Sequence, residues 1–180
     1  MSSFFFFSSS PSTNEVWCRG SRGTESMVWR GNQYFVSTPK QTWEGSELQC
    51  QSLGPTCHLA SIHGAEEAEI VNTMAQSLFG HNQAVWIGLN DRQVEGIYVQ
   101  ADATEVDWLN WNAGEPNDHD HNEDCVEFHT FDGHWNDDVC SKSNPSICKC
   151  PNGNNPEDPS QSDDNPDDKN EEEGNIFIII

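Results

Sequence analysis

Trp111-Asn112-Ala113-Gly114-Glu115-Pro116-Asn117-Asp118-His119-Asp120-His121-Asn122-Glu123-Asp124 is the stretch that the rest of the chain is organised to hold. Glu115, Asp118, Asp120, Glu123 and Asp124 crowd their carboxylates together with no Lys or Arg among them. Such a segment repels itself unless a cation or a helix neutralises it. Pro116, Gly114 and the Asn and Asp residues favour turns, so no helix is expected and the side-chain oxygens are left facing a common space. Carboxylate and amide oxygens with no cysteine in the loop form the donor set of Ca²⁺, a hard ion that takes roughly 6–8 oxygen ligands. The plainer alternative is a solvated acidic surface. A second segment weighs against it: Trp135-Asn136-Asp137-Asp138 again sets an amide oxygen beside carboxylates, just before Cys140. Cys125 directly follows Glu123-Asp124, so a Cys125–Cys140 bridge would bring the two oxygen-rich segments together.

With 180 residues the chain suits one domain. Its net charge of -22 excludes nucleic acid as a natural partner and argues against anionic membrane surfaces. A compact fold so unbalanced gains stability from bound divalent cations. Seven cysteines without zinc-finger spacing indicate disulfides, and so a secreted or extracellular setting. An odd number leaves one thiol free or bonded to another chain, a route to a homo-oligomer. Met1-Ser-Ser-Phe-Phe-Phe-Phe is a poor signal peptide, lacking a basic start and a long apolar run. Ile176-Phe177-Ile178-Ile179-Ile180 is far shorter than the roughly 20 apolar residues of a membrane span, although it would suit the start of one.

Three regions follow from composition. Residues 1–15 are Ser- and Phe-rich without periodicity and read as a leader or disordered arm. Residues 16–150 carry the periodic segments. Residues 151–180 are Asn, Asp, Pro, Ser and Glu, too polar to offset ordering entropy, and read as an acidic tail or stalk. Within the middle region, Met27-Val28-Trp29 and Gln33-Tyr34-Phe35-Val36 read as short strands joined through Gly31-Asn32. Residues 42–53 read as a helix with Trp43, Leu48 and Leu53 near one face, stopped by Gly54-Pro55. His58–Ile62 reads as a strand. A second helix starts after Ser61 or His63, carries Ile70, Val71, Met74 and Leu78 on one stripe, and ends at Gly80. Val85-Trp86-Ile87-Gly88-Leu89 reads as a buried strand. Residues 90–124 have little regular pattern, and an ordered loop of that length is usually functional. Cys125–Phe128 and Ser146–Cys150 read as closing strands.

Over residues 16–150 this order of features resembles the C-type lectin-like domain. The resemblance rests on Trp86-Ile87-Gly88-Leu89, Glu115-Pro116-Asn117 and Trp135-Asn136-Asp137, together with cysteines in the family's order. It implies an α+β fold, two helices flanking antiparallel sheets with a long calcium-binding loop region. It further implies a principal Ca²⁺ site made by Glu115, Asn117, Glu123, Asn136 and Asp137, the last also through its backbone carbonyl. A sugar would bind there through two adjacent hydroxyls, each also donating to a Glu carboxylate and accepting from an Asn amide. In the family the Glu-Pro-Asn form goes with mannose, N-acetylglucosamine and fucose, whereas Gln-Pro-Asp would suggest galactose; Pro116 is expected to be cis. His119 corresponds to a position flanking the sugar; the plainer reading is an ordinary loop residue facing solvent. An auxiliary calcium site is implied at Asp91, Glu95, Asp118, Asp124 and the backbone of Glu123, tying the long loop to the domain. The partners implied are glycans or glycoproteins bearing these sugars.

The same resemblance implies Cys50–Cys148 and Cys125–Cys140 disulfides. The long form of the family pairs a Cys near position 18 with one just before the second strand, where this chain has Gln33. Cys18–Cys150 is the expectation adopted for the remainder, leaving Cys57 free or bonded to another chain, a route to clustering; Cys57–Cys150 and Cys18–Cys57 stay open. Two rival readings exist. His119, His121, His129 and His134 beside acids could suggest a metal-dependent hydrolase, but no His-Glu-x-x-His frame is present. Alternatively the fold could serve a protein, lipid or ice partner without sugar, since fold does not fix function. Against this, the calcium ligands are complete. Trp108, Trp111 and Trp135 are expected mainly in the core.

Overall fold

The computed structural model describes residues 16–19 and 25–151. The arm expected over 1–15, and all but Pro151 of the tail expected over 151–180, lie outside the described residues, and the apolar stretch at 176–180 with them. The first strands are β1 (Val16–Arg19), β2 (Glu25–Trp29) and β3 (Asn32–Gln41). Arg30 and Gly31 both take positive φ, 45° and 75°. That is the two-residue hairpin loop whose twist matches its strands. It lies one residue earlier than Gly31-Asn32, and Trp29 pairs with Asn32. β3 also runs well past the expected Val36, because β9 (Asn144–Pro151) pairs along its length from Asn32 to Gln41.

α1 (Trp43–Gln51) is capped by Thr42, whose side chain accepts from Gly45 N at 3.1 Å. Its buried face is Trp43, Ser46, Glu47 and Cys50, the spacing of a helical stripe. The expected stripe through Leu48 and Leu53 is wrong: these are 62% and 48% exposed. Five-residue steps do not return to one helix face, and the inward face instead carries Glu47. Its carboxylate is matched by Leu59 N at 2.8 Å, His58 Nδ1 at 2.6 Å and Gln51 Nε2 at 2.7 Å. The expected strand at 58–62 shrinks to β4 (His58–Leu59), paired with β9.

α2 (Ala65–Phe79) has Gly64 at its N-cap and stops at Gly80, φ 72°. Val71 and Met74 are buried as expected, with Ile70 and Leu78 packed partly against the same core. Of its first-turn acids, Glu66 meets Arg30 at the surface, 2.8 Å. Glu67 is buried; it takes Lys149 Nζ at 2.7 Å, the Tyr34 hydroxyl at 2.5 Å and His63 N at 2.8 Å. Burial and Glu67 together push the Tyr34 hydroxyl far above its ordinary pKa.

β5 (Ala84–Asn90), β6 (Val99–Gln100), β7 (Cys125–His129) and β8 (Trp135–Asp138) complete the sheet, in the order β1-β2-β3-β9-β5-β7-β8. The sheet is antiparallel as expected except where β5 meets β9 in parallel, Trp86 opposite Ser146. Alternation along its strands feeds two cores. Val85, Ile87, Leu89, Val126, Phe128 and Ile147 join Val71 and Met74 of α2, while Trp86, Cys125 and Cys148 join Trp43 and Cys50 of α1.

Among the described residues three disulfides are formed: Cys50–Cys148, Cys57–Cys150 and Cys125–Cys140. The Cys18–Cys150 expectation is therefore overturned, and Cys57 is not a free thiol. Leu59 and His58 pair with Cys148 and Lys149 of β9, which carries Cys57 beside Cys150. The seventh cysteine, Cys18, lies on β1.

The glycine of Trp86-Ile87-Gly88-Leu89 is set by close approach. Gly88 N donates to Ala60 O at 2.9 Å, and a Cβ at Gly88 would lie 2.6 Å from the Leu59 carbonyl oxygen. Gly88→Ala is expected to cost about 1–3 kcal/mol through overpacking. Urea unfolding should show a lower midpoint at unchanged slope, and an unchanged midpoint would contradict this packing.

Candidate metal centre

The long segment between β5 and β7 is seated on the core by aromatic rings. Trp108 meets Trp135 edge-on at 5.2 Å, Trp111 meets Trp135 at 6.1 Å, and Tyr98 meets Trp111 at 5.0 Å. Trp135 is fully buried, Trp108 and Trp111 partly so. Backbone bonds of 2.8 Å, Trp135 N to Asn110 O and Asn112 N to Trp135 O, fix the loop alongside β8. The Glu115–Pro116 peptide is cis, as expected.

On this support the two acidic segments meet. Asn117 N and Asp118 N donate to the two oxygens of buried Asp137, at 3.1 and 2.9 Å. The Asn117 amide donates to Glu115, and His119 N donates to Glu123 Oε2 at 3.0 Å. Glu115, Asn117, Glu123 and Asp137 are thus brought together. Asn136 stands next to them on β8, with its amide nitrogen turned to Glu127. The His119 ring is not drawn in: its side chain is 74% exposed and lies near Asp120.

A second group adjoins the first through Asp118, which accepts from Glu123 N at 3.4 Å. Asp91 is buried, its backbone N bonded to Asp124 O at 3.1 Å and its Oδ2 to Gly96 N at 2.8 Å. Its Oδ1 is buried with no hydrogen-bond partner. An oxygen so placed loses its hydration without compensation. Glu95 stands in the field of Asp91, Asp118 and Asp124.

Charge crowding shows in the protonation equilibria. Burial, then the Asp137 carboxyl, raises Glu115 above the ordinary carboxylate range, with Glu123 adding repulsion and Asn117 opposing it. Burial, then Asp124 and Asp137, raises Asp91, while Gly96 N opposes the shift. Loss of water and the charges of Asp91, Asp118 and Asp124 raise Glu95. Asp118 is lowered instead, first by its 2.8 Å bond to His121 Nδ1. In each raised carboxyl burial is the larger cause and neighbouring negative charge the lesser one, and a cation would relieve the second.

Among the described residues no three His, Cys, Asp or Glu side chains already converge on one metal position. A shell here would draw on the Asn amides and backbone carbonyls as well as on carboxylates. The donors are oxygens, and the orphaned Asp91 Oδ1 and the raised carboxyls suit a hard divalent cation. The four histidines make no shared centre; His119, His121, His129 and His134 each sit beside an acid of their own, Asp120, Asp118, Glu127 and Asp132.

Comparison with known proteins gives a consistent result. The Lectin C-type domain matches residues 39–150. A C-type lectin galactose-binding isoform of Hoplocephalus stephensii is 37% identical over 123 residues, 67% of this chain and 77% of that protein. A C-type lectin mannose-binding isoform of Oxyuranus scutellatus is 36% identical over 120 residues, 65% of this chain and 75% of that one. Among solved structures, the cow C-type carbohydrate-recognition domain of CD23, in the presence of GlcNAc2Man3 oligosaccharide, is similar at a TM-score of 0.61. That likeness carries 29% identity and covers 69% of this chain and 91% of that one.

Glu115 titrates higher in the fold than in the unfolded chain, so without metal its ionised form opposes folding at neutral pH, and the penalty fades as acid protonates it. Glu115→Gln is expected to raise the thermal midpoint in chelator at neutral pH, and the gain should vanish on acidification. A lower midpoint in chelator at neutral pH would contradict the charge crowding.

Proposed function

This chain belongs to the C-type lectin domain family, and the two sequence relatives named above are lectins and not enzymes; we propose that it binds mannose-type sugars through a bound calcium ion. Glu115, Asn117, Glu123, Asn136 and Asp137, with the Asp137 backbone carbonyl, would hold the ion, and Asp91, Glu95, Asp118 and Asp124 with the Glu123 backbone an auxiliary one. Calcium supplies open coordination positions for neighbouring sugar hydroxyls. The chain supplies the rest of the recognition. Glu115 and Glu123 would each accept a hydrogen bond from a hydroxyl, and Asn117 and Asn136 would each donate one to a hydroxyl oxygen. What carries this reading is the pair of bonds from Asn117 N and Asp118 N to Asp137, which join the Glu-Pro-Asn turn to the Trp-Asn-Asp strand.

Family membership alone does not choose the sugar, since one relative is named for galactose and another for mannose. The choice rests on Glu115-Pro116-Asn117, the form associated with mannose, N-acetylglucosamine and fucose. Glycans or glycoproteins ending in these sugars are the proposed partners. Three disulfides suit an oxidising, extracellular compartment. No helix among the described residues is long and apolar enough to cross a membrane. One site binds one sugar weakly, so useful affinity comes from clustering several copies. The route to clustering through Cys57 is closed by its bond to Cys150.

Retention on a mannose resin is expected to require Ca²⁺, to be released by chelator, and to weaken as acid protons compete for the same carboxylates. Retention that survives chelator would refute the mechanism. The double change Glu115→Gln with Asn117→Asp is expected to shift the mannose-to-galactose preference at least about tenfold, or ~1.4 kcal/mol. A glycan array read with and without Ca²⁺ checks the shift, and an unmoved preference would count against direct coordination by these two residues.

A further inference from the structure

Behind the candidate calcium shell lies a buried carboxylate that the reading above does not use. Glu127 on β7 is 4% exposed and stands directly across the strand pair from Asn136 on β8. Its Oε1 accepts from Asn136 Nδ2 at 3.5 Å and lies 3.2 Å from His129 Nε2. Its Oε2 accepts from Asn144 Nδ2 at 2.5 Å, with Asn144 reaching across from β9. We infer that Glu127 is a positioning residue: it fixes the Asn136 side-chain amide so that its oxygen is presented to the calcium ion and its second N–H to the sugar.

The inference rests on Asn136 being a calcium ligand and deepens that proposal. An Asn side chain has one oxygen and two N–H groups, and either end fits a site about equally well in shape. Rotating the amide by half a turn would present N–H groups to a cation. A carboxylate is acceptor-only, so an N–H facing Glu127 is favoured and an oxygen facing it is repelled. With one N–H directed at Glu127, the amide keeps its oxygen for the ion and one N–H for a sugar hydroxyl. Glu127 has little freedom of its own, being buried and bonded at both oxygens. Partners one step removed from a metal commonly change its affinity by about 10–100-fold when lost.

Glu127→Gln keeps the size and removes the one-sided polarity. The new amide side chain must face an N–H₂ toward either Asn136 or Asn144, each of which presents an N–H₂ of its own. Adding Asn144→Asp gives that N–H₂ an acceptor and returns the new amide's oxygen to Asn136. Calcium affinity is read by calorimetry on the full chain, the number of waters on bound Tb³⁺ by luminescence lifetimes in H₂O and D₂O, and fold integrity by melting in chelator. Expected for E127Q is roughly tenfold weaker calcium binding and about one more water on Tb³⁺, and for E127Q with N144D the return of both to wild-type values. Wild-type calcium affinity in E127Q, or a double variant no better than E127Q, would overturn the positioning role alone. Absence of saturable uptake by the wild-type chain would overturn the calcium site itself and this inference with it. If E127Q alone fails to melt cooperatively, the double variant decides: restored folding with wild-type affinity and water count supports the role, and restored folding with weak binding overturns it.

Discussion

Negative charge that cannot spread out is the constraint on which this domain turns. Fourteen acids and one base, Arg92, fall between residues 85 and 140, and the fold compresses many of them around Asp137. Two features prevent the segments from drifting apart. The Cys125–Cys140 bridge closes the β7–β8 hairpin from beneath, and Trp108, Trp111 and Trp135 anchor the loop by packing. The loop's backbone N–H groups absorb part of the charge, and burial together with the remaining repulsion raises Glu115, Asp91 and Glu95.

The scaffold supplies rigidity where that charge needs it. Strands β5, β7, β8 and β9 feed cores shared with α1 and α2, so the strand ends that carry Asn90, Cys125 and Asp137 cannot relax without opening a core. At the far end the same logic appears with the sign changed. Lys149 and Glu67 neutralise one another inside the protein, bonded further to Tyr34 and Ser61, and hold the start of α2 onto β9. One buried acid is offset by a lysine, whereas Asp91 and Glu115 at the candidate site have no lysine or arginine bonded to them.

Much of this was legible in the sequence because it was written in local patterns. The apolar run Val85–Leu89, the stripe of α2 and its stop at Gly80, and the long irregular loop all survive in the fold. Glu115, Asn117, Glu123 and Asp137 could be named from composition and resemblance, and the fold gathers them. What was not legible depends on pairing across the chain. The face of α1 is set by Glu47 meeting Leu59 N and His58 rather than by its leucines. Cys150 is claimed by Cys57 because β4 lies against β9, a neighbour relation that cysteine spacing does not encode. Glu127 reads as an ordinary polar position of a strand until the β7–β8 register sets it opposite Asn136; counting across the hairpin from Cys125 and Cys140 would have set it opposite Asp138 instead.

The Cys57–Cys150 bond also has a mechanical meaning. Together with Cys50–Cys148, it carries a pull applied between a point before Cys50 and one after Cys150 through sulfur atoms, bypassing the chain between Cys57 and Cys148. Both helix α2 and the whole oxygen-rich loop lie within that span. The candidate site therefore hangs from the load path without being part of it, and tension between the two ends of the domain leaves its geometry unstretched for as long as either bond is intact.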